Sequence, residues 1–240
     1  YYIVNAIVGV MNVITSAMIG GIGNSIAAES KKKNYNDFTV FNFIYMWISS
    51  WATVTLFSLY QNFMVLWVGE ELTLPLLAPV LFSIYFSALK MCDIRTTYTS
   101  AAGLWWENRS RAICETVANI ILNYLLVQLW GVYGIVLATI IPLVLINFGF
   151  GAQVLFKHYF TEEKISGYFI DNVSYAVVTL ISAMITFKIN TFIGEYSVLN
   201  LVIRGIICCI IPNIIFLAAY CKSLKFRMAK DWVLTKIKRK

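Results

Sequence analysis

Long apolar runs separated by short polar connections make up most of this chain. Seven runs are each long enough to form a helix that crosses a hydrocarbon layer of roughly 30 Å. They cover residues 3–27, 38–60, 76–97, 113–130, 132–156, 173–193 and 199–220. Polar and apolar positions do not alternate in them, as they do in the strands of a membrane barrel. The pattern predicts an all-α integral membrane protein, with a transmembrane bundle over residues 1–220 and a basic tail over residues 221–240.

Composition supports the same fold class and excludes several kinds of function. The chain is 60% hydrophobic and 13% charged, whereas about a quarter of the residues in soluble domains are charged. The five cysteines show neither paired extracellular spacing nor a Cys-x-x-Cys motif, so we expect no disulfide framework and no metal site. Walker and nucleophile-elbow motifs are missing, and His158 falls in a connection. We therefore expect neither an enzyme nor a cofactor, and the missing initial Met suggests a fragment of a longer protein.

The basic residues are concentrated in alternate connections. Of the 19 Lys and Arg residues, 16 follow the first, third and fifth runs or lie in the tail. They are Lys31, Lys32, Lys33, Arg95, Arg109, Arg111, Lys157, Lys164, Lys222, Lys225, Arg227, Lys230, Lys236, Lys238, Arg239 and Lys240. The opposite connections contain Glu70, Glu71 and Glu195. Because basic connections stay in the cytoplasm, the chain is predicted to begin outside at Tyr1 and to end inside at Lys240.

The stretch "SAAGLWWENRSRA" is then predicted to lie at the cytoplasmic surface. Trp105 and Trp106 suit a position among lipid headgroups, while Arg109 and Arg111 suit contact with anionic lipid or with a ligand phosphate. A simple interfacial anchor is the favoured reading of this stretch, and a ligand site is the alternative.

The basic tail has the pattern of an amphipathic surface helix. Leu224, Met228 and Trp232 recur every four residues among lysines, which is typical of a helix that binds an anionic membrane surface. The alternative is that the tail only determines topology. Nothing in the chain resembles a soluble basic domain, so we expect no nucleic-acid partner.

The third run carries charge inside an apolar segment. Lys90, Asp93 and Thr97 share one helical face, and Arg95 follows near the inner end. Charged groups in a membrane span are costly and commonly functional, so Lys90 and Arg95 are candidate contacts for an anionic headgroup, with Asp93 as a charge partner. A neutralised structural ion pair is equally compatible with this pattern.

Other polar residues in the spans favour helix packing. In the fourth run Glu115 is placed to pair with Arg111 one turn earlier. Arg204, near the outer surface, is expected to extend to the interface, and Pro142 and Pro212 are expected to kink their helices. Stripes of small or polar residues occur on single faces of three runs. These stripes are Gly9, Asn12, Ser16, Gly20 and Gly23; Glu115, Asn119 and Asn123; and Tyr175, Thr179, Ser182 and Thr186.

Four segments, taken in order, resemble a known family. They are "IGNSIAAESKKKNYNDF", "LWVGEELTLP", "TYTSAAGLWWENRSRAICETVANIILN" and "LWGVYGIVLATIIP". Together they are similar to polysaccharide-export flippases of the multidrug/oligosaccharidyl-lipid/polysaccharide exporter superfamily, over residues 1–156. Many relatives have a basic and an acidic residue before "AAG", where this chain has Thr99 and Ser100.

The resemblance implies a structure, a function and a location. The chain would be the C-terminal part of a two-lobed, MATE-like fold of 12 to 14 helices in a bacterial cytoplasmic membrane. It would move undecaprenyl-diphosphate-linked oligosaccharide, such as an O-antigen or capsule repeat unit, to the outer leaflet by alternating access. Lys90, Arg95, Arg109 and Arg111 would contact substrate, with Asp93 and Glu115 as charge partners. The polyprenyl tail would run along the last two spans. The implied partners are the lipid-linked oligosaccharide, anionic membrane lipid and an N-terminal half of the same protein.

Three alternatives remain open at this point. The first is a drug or cation antiporter of the same superfamily, which needs more buried acids than cations. The second is a membrane-embedded glycan-modifying enzyme. The third is a bundle whose polar stripes serve only to pack helices.

Overall fold

The structure, a computed structural model, describes residues 2–194 and 196–238 and is all-helical over those residues. Tyr1, Glu195, Arg239 and Lys240, which the topology prediction uses, lie outside the described residues. A 3-10 turn, Glu70–Leu72, separates the second and third helices. The helices are α1 Tyr2–Ala28, α2 Lys31–Val68, α3 Leu77–Ala101, α4 Trp105–Trp130, α5 Val132–His158, α6 Ile165–Thr191, α7 Val198–Tyr220 and α8 Leu224–Lys238.

Helices α1 to α7 are each long and apolar enough to cross a membrane, which confirms the seven predicted spans as helices. Helix α2 is much longer than its predicted span, residues 38–60. It has 38 residues and is therefore about 57 Å long. Its N-terminus is capped by Ser30, whose side chain accepts a hydrogen bond from the Lys33 backbone amide. It ends at Gly69, whose φ of 88° suits glycine. Helix α2 is therefore longer than the thickness of a hydrocarbon layer, which is about 30 Å.

Two of the spans are irregular inside. Helix α3 consists of the segments Leu77–Met91 and Asp93–Ala101, which meet at Cys92. Helix α5 changes after Pro142 into a π-helical stretch, Leu143–Phe150, before it returns to α-helix. Such π-helical insertions are rare and often occur at functional sites. Both irregular segments lie next to charged residues.

Prolines inside helices leave carbonyl groups without their usual donors, and neighbouring helices supply replacements. Pro142 cannot donate to the carbonyl of Ala138, and the side-chain amide of Asn119 in α4 donates to it instead at 3.3 Å. The carbonyl of Cys208 lies four residues before the proline of α7, and the indole of Trp51 in α2 donates to it at 3.0 Å. Polar residues in the spans therefore serve helix packing at these two places.

Helix α2 lies at the centre of the bundle and packs against α3, α6, α7 and α8. Helix α4, by contrast, has no buried residue and packs mainly against α5. Gly134 of α5 makes this contact close, because a Cβ atom there would overlap the backbone carbonyl of Leu126. The apolar face of α4 away from α5 is therefore free to face lipid.

The basic connections meet at one end of the bundle, which we call the basic end. Asn34, in the first turns of α2, donates to the hydroxyl of Tyr159 after α5 at 3.1 Å. Burial raises the pKa of Tyr159, and the hydrogen bond from Asn34 offsets part of this shift. Phe38 packs edge-on against Tyr98 of α3 at 5.1 Å and contacts Phe160 at 5.4 Å. The connections after α1, α3 and α5 thus share one end, as their charges predict.

The tail forms helix α8, which packs against the basic half of α2. Trp232 contacts Phe41 edge-on at 5.3 Å, and Ala229 is buried. Lys225 forms an ion pair with Asp171 of α6. Leu224, however, is 71% exposed, so it does not belong to the packed face as its spacing predicts. The packed face is instead centred on Ala229, with Met228 and Trp232 beside it, where α8 lies along α2.

Candidate functional site

The first charged cluster joins three helices around Lys90. The side chain of Lys90 is 1% exposed, and its ammonium group donates to Asp93 Oδ2 at 2.9 Å and to Asn12 Oδ1 of α1 at 2.9 Å. The hydroxyl of Tyr45 in α2 donates to the same Asp93 carboxylate. The cluster is neutral overall, because Asp93 neutralises Lys90. A lone Lys90 ammonium group buried at this depth would be very unfavourable.

The second cluster joins α3, α4 and α5 around Arg95, which is fully buried. One guanidinium nitrogen of Arg95 donates to Asn147 Oδ1 in the π-helical stretch. Asn147 donates in turn to both carboxylate oxygens of Glu115, at 2.9 and 3.0 Å. Arg111 forms an ion pair with the same carboxylate. The irregular turn of α5 therefore places an amide between a buried cation and an acid.

Glycine makes room for Arg95 on the remaining side. A Cβ atom at Gly151 would lie 2.5 Å from Arg95 Nη1, so a larger residue would displace the guanidinium. Nε and Nη1 of Arg95 have no hydrogen-bond partner within the described part of the chain. With Arg111 and Glu115, the second cluster has a net charge of +1. A buried cation that is incompletely satisfied indicates function more strongly than a neutral pair does.

The structure separates the predicted cations and does not gather them in one site. Lys90 and Arg95 are five residues apart, which places them about 140° apart around an ideal helix. Lys90 accordingly bonds Asn12 of α1, while Arg95 bonds Asn147 of α5. Both ion pairs that the spacing predicts are present, Lys90 with Asp93 and Arg111 with Glu115. Their role as substrate contacts stays a prediction.

Arg109 belongs to a surface patch that is separate from both clusters. Its guanidinium carbon lies 3.6 Å from the ring centroid of Trp106, which is a cation–π contact. Trp105 and Trp106 are 70% and 72% exposed. This geometry suits the interfacial anchor that the sequence favours.

A cavity of about 720 Å³ lies between α1, α2 and α8. Its walls are largely apolar, with Glu29, Lys33 and Asp37 toward the basic end. None of the six predicted site residues lines this cavity. Tyr45 does line it, and the hydroxyl of Tyr45 also bonds Asp93. One side chain therefore connects this cavity to the Lys90 cluster.

Arg204 corrects one expectation, because its guanidinium is enclosed by protein and does not extend into water. It is 5% exposed and donates to the backbone carbonyls of Ile193 and Gly194, at 2.6 and 2.8 Å, and to Asn62 of α2. Acceptors in α2 and in the connection after α6 hold the guanidinium by charge-assisted hydrogen bonds.

Two amides in these clusters have roles that the sequence reasoning missed. Asn12 appears in the sequence only as part of a packing stripe, yet it accepts from Lys90. Asn147 is the one asparagine in the strongly apolar run 132–156, and a polar residue in the middle of such a run is the signal that would have found it.

No protein-family model matches this chain, and neither a curated protein nor a solved structure matches it.

Proposed function

We propose that this chain is the C-terminal lobe of a flippase for undecaprenyl-diphosphate-linked oligosaccharide. It moves the repeat unit from the cytoplasmic to the outer leaflet of a bacterial cytoplasmic membrane by alternating access. The four sequence segments that resemble polysaccharide exporters motivate the proposal. The seven membrane-length helices are compatible with it.

The observation that carries the proposal is the sign of the buried charge. Lys90, Arg95 and Arg204 are each at most 5% exposed, while no acid is buried among the described residues. A diphosphate is anionic, and cations held in a low-dielectric interior attract it strongly. An exporter of cationic drugs would instead need more buried acids than buried cations. The net charge of the Arg95 cluster therefore favours an anionic substrate.

The proposal includes a second helical lobe that covers α1. Only Val4, Met11 and Ile22 of this helix are buried, and its other faces expose polar side chains such as Asn5 and Ser16. Polar groups are unfavourable against lipid tails, so we assign this surface to the N-terminal half of the same protein. The passage for the headgroup would lie between the two lobes.

Loss of transport in charge variants tests the proposal. Arg95→Met in the full-length protein is expected to slow delivery of lipid-linked repeats to the outer leaflet at least tenfold. Lys188→Met is a matched control, because it removes an exposed cation from the opposite end of the bundle. Delivery at wild-type rates after depletion of the protein would refute the proposal. Drug resistance conferred by the protein would favour the antiporter, and a covalent change in the repeat unit would favour the enzyme.

The predicted orientation has its own test. A cysteine at Glu71 is expected to react with an impermeant thiol reagent in intact cells, whereas one at Lys32 should react only after permeabilisation. The background protein has serine in place of the three exposed native cysteines, which are Cys114, Cys209 and Cys221. The reverse labelling pattern would refute the orientation and the direction of transport.

A further inference from the structure

A second cavity, of about 520 Å³, opens at the end of the bundle opposite the basic end. It lies between the last turns of α2, the end of α6 and the start of α7. Its volume is within the range of small-molecule sites, about 300 to 1,000 Å³. Its lining surface is more apolar than polar, but six polar side chains contribute to it. The polar lining residues are Ser58, Gln61, Asn62, Asn190, Thr191 and Arg204.

The walls of this cavity are fixed by hydrogen bonds. Gln61 donates from its side-chain nitrogen to the carbonyl of Leu74 at 3.0 Å, so its oxygen is the atom left to accept. Asn62 donates to the carbonyl of Ser58 at 3.2 Å and accepts from Arg204. Arg204 is additionally held by the two carbonyls beyond α6. The orientation of each amide thus follows from a bond it already makes.

Four buried polar atoms of the residues at this cavity have no hydrogen-bond partner within the described residues. They are the donor Nε of Arg204, the acceptors Oε1 of Gln61 and Oδ1 of Asn190, and the hydroxyl of Ser58, which can donate and accept. Arg204 and Asn190 are 5% and 3% exposed. An unsatisfied polar atom at such depth costs about 1 to 3 kcal/mol, so the set indicates a ligand or water that supplies the missing bonds.

The mixture of one donor, two acceptors and one hydroxyl that can do either decides which ligand fits. A phosphate or carboxylate accepts hydrogen bonds only, and it would face the oxygens of Gln61 and Asn190 without a proton to share. A sugar hydroxyl both donates and accepts, so it satisfies both kinds of atom. The rings of Phe187 and Tyr196 also line the cavity and provide apolar surface for the C–H face of a pyranose. We propose that this cavity binds a neutral sugar.

This inference deepens the proposed function and rests on it for the source of the sugar. In the predicted orientation the cavity lies at the outer side of the membrane, away from the Lys90 and Arg95 clusters. It would hold a sugar of the repeat unit after the diphosphate has crossed.

Direct binding tests the inference. The full-length protein, purified in a zwitterionic detergent that contains no sugar, is titrated with glucose, galactose and N-acetylglucosamine in saturation-transfer NMR. At least one sugar should bind. Gln61→Met and Asn190→Leu should each weaken binding about threefold to tenfold, the loss of one hydrogen bond. Asn172→Leu is the matched control, because it makes the same change in α6 about 27 Å away.

Each outcome has a distinct meaning. Absence of binding by all three sugars, or equal binding by the variants and the control, would refute the sugar site. Displacement of bound sugar by inorganic phosphate at equal concentration would also refute it, in favour of an anion site. Gln61→Met, at a half-exposed residue, keeps the test valid if Asn190→Leu does not fold. Sugar binding by a protein that does not move lipid-linked repeats would support the site and refute the proposed function.

Discussion

Asn147 forms a hydrogen-bonded bridge between Arg95 and Glu115, and one substitution, Asn147→Leu, removes it. This change keeps a side chain of similar size and deletes three hydrogen bonds, one from Arg95 and two to Glu115. It leaves a fully buried guanidinium with three unpaired nitrogens, since two already have no partner among the described residues. Glu115 keeps its ion pair with Arg111.

The size of the effect depends on what the bridge does. Hydrogen bonds between membrane helices are worth about 0.6 kcal/mol on average, so three ordinary ones would cost about 2 kcal/mol. Stranding a buried charge costs about 3 to 5 kcal/mol. Arg95 is fully buried, and the substitution removes the side-chain oxygen that accepts its hydrogen bond. We therefore expect Asn147→Leu to lower the free energy of unfolding by about 3 to 5 kcal/mol.

A double-mutant cycle separates these explanations. Unfolding is followed by circular dichroism as sodium dodecyl sulfate is added to mixed micelles, for Asn147→Leu, Arg95→Met and the double variant. Removing both groups strands no charge, so the double variant should be at least about 2 kcal/mol more stable than the sum of the single losses predicts. Asn123→Leu, at a half-buried amide of α4 whose hydrogen bonds within the described residues stay in its own helix, should cost under about 1 kcal/mol. Additive losses within about 0.5 kcal/mol would refute the argument that Asn147 holds the charge.

Two further predictions concern helix packing. Gly134→Ala should destabilise the protein by about 1 to 3 kcal/mol, because the added Cβ would overlap the Leu126 carbonyl and push α4 away from α5. The control is Gly9→Ala, which should be close to neutral because nothing lies within 4 Å of the added Cβ. Equal effects of the two substitutions in the same unfolding assay would contradict this packing. Trp51→Phe keeps an aromatic ring but leaves the Cys208 carbonyl without a donor, so it should cost about 1 to 3 kcal/mol. An unchanged unfolding midpoint for Trp51→Phe would show that water replaces the indole.

Much of the architecture follows from local pattern. Length and hydropathy alone specify seven helices, since a span must satisfy its own backbone hydrogen bonds and therefore forms a helix wherever it is apolar for long enough. Pairs separated by three or four residues are equally local. The spacing of Lys90 and Asp93, and that of Arg111 and Glu115, is enough to predict both ion pairs.

Contacts between helices are not local, and the pattern of residues along the chain does not predict them. Nothing in the spacing places Asn147 against Arg95, because that contact depends on the π-helical turn of α5 and on the space at Gly151. Arg204 was expected to extend outward by analogy with other cations near a membrane surface. Its burial depends on carbonyls that reach it only when α6 and α7 pack together.

The sequence by itself determined which segments form helices long and apolar enough to cross a membrane. It also determined which connections carry the positive charge and which neighbours on one helix pair. These properties depend on hydrophobic length and helical periodicity, which act within a single segment. The tertiary structure alone decided which polar groups are buried, which cations are left with unpaired donors and where the cavities lie. Those properties depend on the surface of one helix meeting that of another, and their energies come from contacts that do not exist until the bundle is assembled.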